Sequence, residues 1–310
     1  MQEQKKNSEI SGILNILKPP GMTSFDVVGY LRRMLKIKKI GHTGTLDPAA
    51  IGVLPVCIGQ ATKAIEYMMD KDKVYRAELA LGKITDTQDS TGEILEQRDI
   101  NISDGQLYAA FESFIGKYQQ VPPMYSAVKI GGKKLYELAR EGITVERNAR
   151  EVEIYSLNIV HIKRDEKWMP IHVLFDVHCS KGTYIRTLCA DIGEKLGCGG
   201  HMSFLIRSRT GNFGISEALT IEDIEQAVGT GQIVRRLISV ENVFSHLDKV
   251  VLSNAEKKKF TNGVWIEAKG DLTQGSLIRV IDDHGKMIAL GEIFENKGVL
   301  MLKSKKMFVG

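Results

Sequence analysis

The sequence predicts an α+β protein: a mixed, largely antiparallel sheet with flanking helices, plus a small C-terminal β-barrel. Three observations lead there. "KVYRAELALG" alternates, with Tyr75, Ala77, Leu79 and Leu81 on one face and Arg76 and Glu78 on the other, which is the two-residue period of a half-buried strand. Alternating and helical segments mix along the chain without strict βαβ repetition. After about residue 245 the segments shorten to strands separated by turns such as "DDHGK", the pattern of an appended barrel.

Each element follows in order. "GILNILKPPGM" reads as a short strand ending in a Pro-Pro-Gly turn. Thr23 or Ser24 can cap a helix with Val27, Leu31, Met34 and Leu35 on one face. "ATKAIEYMM" looks helical. Ser103 and Gln106 form a capping box for a helix with Leu107, Ala110, Phe111, Phe114 and Ile115 on its apolar side. From Val121 to Gly142 the periodicity breaks down in a stretch rich in Pro, Gly and Lys, long for a connection and of the kind that carries function or is disordered. Strands return at "EVEIYSLNIVHI" and "IHVLFDVHC". Thr183 is then placed to cap a helix bearing Ile185, Leu188, Ile192 and Leu196, with Gly197 ending it. "HMSFLIRSRTG" alternates again. In the tail, Ser253 with Glu256 starts a short helix before strands at "SLIRVID", "KMIALGEIF" and "GVLMLK".

The 310 residues are 43% apolar and 26% charged, ordinary for a globular protein and long enough for a sizeable core. A net charge of +4 and a pI near 8.7 permit nucleic-acid binding without demanding it. No apolar run approaches the ~18 residues of a membrane span. The polar start "MQEQKKNSEI" lacks the apolar stretch of a secretion signal and reads as a frayed lead-in. Cys57, Cys179, Cys189 and Cys198 show no C-x-x-C spacing, so buried free thiols in a reducing cytoplasm are expected, and zinc is not. No P-loop, dinucleotide glycine motif, zinc-protease motif or internal repeat is present.

"GHTGTLDPAAIGVLPV" (41–56) carries the candidate chemistry. Asp47 precedes a proline in a glycine-rich segment, where a carboxylate often only bonds nearby amides. The apolar stretch after it can instead hold the turn rigid beneath a cleft. A carboxylate there can act as nucleophile, general base or stabiliser of a cationic sugar. No obvious second carboxylate accompanies it, which argues against sugar hydrolysis. In "SKGTYIRTL", Lys181, Tyr184 and Arg186 gather at a turn and helix start. Arg186 either faces solvent or grips Asp47 through two parallel hydrogen bonds and keeps it ionised. Tyr75 is either a core residue or a ring on which a base stacks, and it can relay a proton if its surroundings lower its pKa.

"GHTGTLDPAAIGVLPVCIGQATK", "KVYRAELALGKITDTQDSTGE", "VPPMYSAVKIGGKKLYELAREG", "SKGTYIRTLCADIGEKLG" and "HMSFLIRSRTGNF" together resemble, in the same order, the motifs of the TruB-type tRNA pseudouridine-55 synthases. The resemblance runs from about Gly12 to Ser245 and more weakly through the tail. It implies that Asp47 is the catalytic aspartate, that Tyr75 stacks on the target uracil, and that Arg186 pairs with the aspartate. It implies that Tyr184 lies beside them in the pocket and that His42 helps occupy the space left in the RNA. By the same resemblance Lys18 stands near the pocket entrance and Leu205 lines the base site. Residues 121–142 form an RNA-gripping insertion, in which Lys133 and Lys134 would meet phosphates. Residues 1–245 would be the catalytic domain and 246–310 a PUA-like RNA-binding domain. Ile51 stands where many members have Thr, a departure that touches local substrate contacts rather than the acid.

The implied reaction isomerises uridine to pseudouridine in the T loop of tRNA. The N-glycosidic bond breaks and the base rejoins through C5. The aspartate either attacks the sugar or removes its 2′ proton, and sequence leaves both routes open. No cofactor, metal or protein partner is implied. The partner is the T-arm stem-loop of tRNA, and the enzyme is a cytoplasmic monomer. The alternative is a non-catalytic RNA-binding protein or tRNA-folding chaperone on the same fold.

Overall fold

The computed structural model describes residues 10–164 and 171–309, so the polar lead-in up to residue 9 lies outside the described residues. The first strands are β1 (Gly12–Lys18), β2 (Ile40–His42), β3 (Ile51–Ile58), β4 (Lys73–Leu81), β5 (Lys83–Thr85), β6 (Ile94–Gln97) and β7 (Gly116–Gln120). There follow β8 (Lys129–Ile130), β9 (Lys133–Lys134), β10 (Arg150–Arg164), β11 (Ile171–Cys179), β12 (Gly200–Thr210) and β13 (Phe213–Gly214). The helices are α1 (Ser24–Leu35), α2 (Ile65–Met69), α3 (Asp104–Glu112), α4 (Leu135–Arg140), α5 (Ile185–Lys195), α6 (Ile221–Gly229), α7 (Val240–Val243) and α8 (Asn254–Thr261).

The central sheet runs β1-β3-β12-β4-β11-β10-β7, with β2 on β3 and β13 on β12. Its neighbours pair antiparallel except β3 and β12, which run parallel where Ile51 meets Ile206 and Gly52 meets Arg207. The sheet is therefore mixed and largely antiparallel, as the alternation predicts. The parallel crossing requires glycine at 52. Its φ is +119°, and a Cβ there would stand 2.2 Å from the Arg207 carbonyl oxygen.

Local chemistry sets the helix starts. Thr23 with Asp26 boxes α1, Ser103 with Gln106 boxes α3, and Ser253 with Glu256 boxes α8. Three expectations need correction. Thr183 does not cap α5, because its hydroxyl donates to the Ser180 carbonyl inside the turn. The helix start has no side-chain cap; Gln120, on β7, braces the N-cap residue instead, accepting from the Tyr184 N–H and donating to the Tyr184 carbonyl. The segment at "ATKAIEYMM" opens as a 3₁₀ helix, Gly59–Ala64, before α2. The helix α3 stops at Glu112, so Phe114 packs partly against the core while Ile115 is exposed.

Helices α3 and α5 cover one part of the sheet, packing Leu107, Phe111, Leu188 and Ile192 against Leu79 and Phe175. Phe111 meets Phe175 edge to face at 5.4 Å. Elsewhere α1 and α6 bring Val27, Leu31 and Ile224 onto Leu14, Ile16 and Leu54. Each such side chain contributes about 1.5–3 kcal/mol. All four cysteines are buried and free, as expected.

The tail adds β14 (Lys249–Leu252), β15 (Ile266–Glu267), β16 (Leu277–Asp282), β17 (Met287–Asn296) and β18 (Val299–Met307), ordered β14-β16-β17-β18-β15 in a curled half-barrel. It has its own core around Phe260, Val280, Ile288 and Leu302. It is not merely appended. Met287, Leu290 and Phe308 share a second cluster with Val53, Cys57, Met68 and Phe213 of the main sheet.

Candidate active site

The loop between β2 and β3 presents Asp47. One buried cation fixes its shape. Arg207, on β12 and only 2% exposed, donates from Nε to the Val53 carbonyl at 2.7 Å. Its Nη1 reaches the Thr45 carbonyl at 3.3 Å and its Nη2 the Gly44 carbonyl at 3.2 Å. Ser24 closes the loop from α1, accepting from the Leu46 N–H at 2.9 Å. The turn that carries the acid is thus tied down at both ends.

Arg186 meets Asp47. Nε stands 3.0 Å from Oδ2 and Nη2 stands 3.4 Å from Oδ1, two donors side by side on two oxygens. The guanidinium is itself immobilised. It donates to the Thr87 carbonyl at 3.1 Å and to the Tyr125 carbonyl at 2.9 Å, and it lies 3.7 Å from Asp89. Its side chain is 6% exposed while that of Asp47 is 37% exposed. The acid therefore reaches an open space that its partner does not. Burial pushes the Asp47 carboxyl above its ordinary value. The Arg186 charge opposes that, Asp89 adds to it, and Lys18 opposes it further.

Lys18 is placed differently from the pocket-entrance expectation. It is wholly buried, donating to the Pro19, Met22 and Pro48 carbonyls at 2.8, 2.7 and 3.1 Å. Burial lowers its pKa to about 8, with the Asp47 charge acting in the other direction. The lysine secures the back of the acid's turn, since Pro48 follows Asp47 directly.

Tyr75 sits on the interior face of β4 at 7% exposure, in one apolar cluster with Leu46, Ala50 and Leu205. Burial raises its pKa, more than the Arg207 charge lowers it. The phenol stays protonated, so the conditional proton-relay role is not supported. His42 accepts from the Gly44 N–H through Nδ1 at 3.3 Å. Burial and the Arg207 charge depress its pKa, leaving a neutral ring with the proton on Nε2. Tyr184 is the N-cap residue of α5, its backbone clasped by Gln120 one residue from Ile185 and two from Arg186.

Lys133 and Lys134 stand apart from this cluster. They form β9, paired with β8 in a small hairpin leading into α4. Lys133 is exposed, 3.4 Å from a Glu141 oxygen. The Lys134 ammonium lies 5.3 Å over the Tyr136 ring, and the Arg140 guanidinium lies 5.5 Å over it. Residues 121–142 are thus partly ordered, and Tyr125 at their start touches the site through Arg186.

Sequence reasoning missed three residues here: Arg207, Asp89 and Gln120. Arg207 left a signal, since it falls in phase with Leu205 on the inward face of β12. Asp89 accepts from Thr87 and from both the N–H and hydroxyl of Thr91, a local pattern inside "TDTQDST". Gln120 acts across 64 residues, and nothing local announces it. Among the described residues no group of three His, Cys, Asp or Glu side chains is placed to hold a metal ion. None of their helices is long and apolar enough to cross a membrane.

A family model described as TruB family pseudouridylate synthase (N terminal domain) matches residues 32–185, and one for the tRNA pseudouridylate synthase B C-terminal domain matches residues 186–252. The acid and its arginine fall on the two sides of that division. The chain is 53% identical over 254 residues to a tRNA pseudouridine synthase B of Alkaliphilus oremlandii, covering 82% of each. It is 45% identical to that of Bacillus licheniformis, covering 90% of this chain and 92% of the relative. A chain in the crystal structure of a Cbf5-Nop10-Gar1 complex superposes with a TM-score of 0.73 at 25% identity, over 98% of this chain and 87% of that one.

Proposed function

This chain belongs to the TruB family of pseudouridylate synthases, and we propose on that premise that it converts uridine to pseudouridine at position 55 in the T loop of tRNA. Asp47 is the catalytic group. The observation that carries this reading is the fork of Arg186 on a carboxylate that still opens outward, beside the buried ring of Tyr75.

The target base lies inside a stacked loop and is everted at a cost of a few kcal/mol. Stacking on Tyr75 returns about 1–3 kcal/mol of that, and Leu205 supplies apolar contact in the same cluster. Arg186 and Lys18 hold charge beside Asp47, whether the carboxylate attacks the sugar or removes its 2′ proton. The detached base turns while held against Asp47 by the bound RNA and the pocket, and proximity governs its recapture through C5. Neutral His42 occupies the distorted loop. Tyr184 borders the pocket.

Residues 117–150 carry seven Lys/Arg against three Glu. That excess suits the insertion at 121–142, with Lys133 and Lys134, to grip phosphates of the T-arm stem-loop. Residues 1–245 form the catalytic domain and 246–310 a PUA-like RNA-binding domain. The enzyme works in the cytoplasm as a monomer, without a protein partner. The test is incubation of purified protein with unmodified tRNA, followed by site-resolved pseudouridine mapping. Modification at position 55 is expected. Modification elsewhere overturns the T-loop assignment, and none at all overturns the enzymatic reading.

A further inference from the structure

Arg186 is the second residue of α5, and the start of α5 has no side-chain cap. The first N–H groups of a helix lack intrahelical partners, so its opening turn is the part the helix itself secures least. The side chain that meets Asp47 therefore rises from a weak point of the backbone. Its tip is held by the Thr87 and Tyr125 carbonyls, which engage Nη1 and Nη2. The shorter of its two contacts with Asp47, 3.0 Å, is made by Nε. Two bonds at the tip leave a swing about the line joining Nη1 and Nη2. The backbone beneath decides where Nε comes to rest in that swing.

Gln120 fixes this backbone. Tyr184, the residue before α5, is extended, at φ −95° and ψ 111°. The N–H and C=O of one extended residue point to the same side, where a single amide can meet both. Gln120 does so from the edge strand β7, at 2% exposure. Its Oε1 accepts from the Tyr184 N–H at 2.8 Å, and its Nε2 donates to the Tyr184 carbonyl at 3.0 Å. Nε2 also donates to the Tyr118 hydroxyl. Both amide donors are thus engaged, which sets the orientation of the group.

We propose that Gln120 is a positioning residue for pseudouridine formation: by bracing Tyr184 it sets the start of α5, and with it the reach of Arg186 Nε to Asp47. The inference rests on the reading of Asp47 as the catalytic group. Small displacements matter at such a contact, because a misplacement of about 1 Å costs on the order of 100-fold in rate.

Three variants test it. Gln120→Met is close in length and removes both bonds to Tyr184. On a T-arm stem-loop its single-turnover rate should fall by about tenfold or more while the RNA Kd stays within about twofold. Burial raises the Asp47 pKa and the Arg186 charge opposes it, so a looser contact should move the acid limb of the rate to higher pH. Lys18, Asp89 and the Tyr75 phenol, which also act on the acid, are unchanged in this variant. Without RNA, the Arg186 Nε–H signal in NMR, assigned by its loss in Arg186→Lys, should exchange with water about tenfold faster or more than in the parent, as expected of a contact that opens more often. Gln120→Asn, polar but one methylene shorter, should show the same changes in smaller measure, which keeps the test decisive if Gln120→Met does not fold. Gln120→Glu, which burial holds neutral, keeps an acceptor and one donor and should recover most of the rate and the slow exchange. The inference is overturned if Gln120→Met or, where that variant does not fold, Gln120→Asn keeps the parental rate or the parental Arg186 exchange, or if Gln120→Glu recovers neither. A parent that forms no pseudouridine sinks the reading of Asp47 instead, and the Arg186 exchange still reports on Gln120.

Discussion

Two cationic regions of this molecule are built in opposite ways. Around Asp47, Lys18, Arg186 and Arg207 are buried and spend their donors largely on backbone carbonyls. In the 121–142 insertion, Lys133, Lys134 and Arg140 face outward, against one carboxylate and one tyrosine ring. A buried cation with a fixed hydrogen-bond set is a geometric device, screened little by salt. An exposed one is free to exchange its partner for a phosphate. The first region shapes the loop that holds the acid, and the second is suited to taking hold of a polyanion.

Substitutions that separate these roles sharpen the contrast. The largest effect is expected at the acid. Asp47→Asn should form no measurable pseudouridine while binding a T-arm stem-loop nearly as the parent does, read by product mapping and filter binding. Turnover retained by that variant removes Asp47 from the chemistry. Next comes Arg207→Met, which strips donors from the Gly44, Thr45 and Val53 carbonyls. Of these only the Val53 carbonyl is buried, and a buried acceptor left bare costs about 1–3 kcal/mol, so denaturant unfolding should show a loss of that size together with lost turnover. Unchanged stability would mean that the loop holds its shape without this residue.

Smaller effects test electrostatics. Because burial raises the Asp47 pKa, activity should fall with acid at a pH above the ordinary carboxylate range. The Lys18 charge favours the ionised acid, so its removal in Lys18→Met should move the acid limb of kcat/KM to still higher pH. A limb that stays put or moves down contradicts the coupling. The mildest change is expected from Lys133→Ala with Lys134→Ala. RNA affinity should drop, and the slope of log K against log salt should flatten by about 1.4–1.8, two phosphate contacts' worth. An unaltered slope makes the hairpin an ordinary surface element.

Much of this was legible in the chain. The alternation of "KVYRAELALG" places Tyr75 inside, and the capping pairs at Thr23, Ser103 and Ser253 locate three helices. The meeting of Asp47 with Arg186 rested on the motifs, because no local pattern joins residues 139 apart. What stayed hidden was long-range polar pairing. Thr183 has the residue type of a cap, yet its hydroxyl is taken by the Ser180 carbonyl, and a distant glutamine braces the backbone of Tyr184 instead. Lys18 has the residue type of a surface group; its own Pro-Pro-Gly turn supplies two of the carbonyls that let it be buried, and the third, from Pro48, comes from 30 residues away. Arg207 was visible in phase but not in purpose.

The strand carrying Arg207 lies between β3 and β4, which are successive members of the core sheet along the chain. During synthesis those two strands leave the ribosome well before the piece that separates them. The early half of the molecule therefore has to keep a seam unsealed until residues 200–210 arrive, an ordering that favours slow, non-local assembly. A nascent chain short of that point carries the acid but not the clasp that shapes its turn, so completion of the Asp47 loop coincides with closure of the sheet.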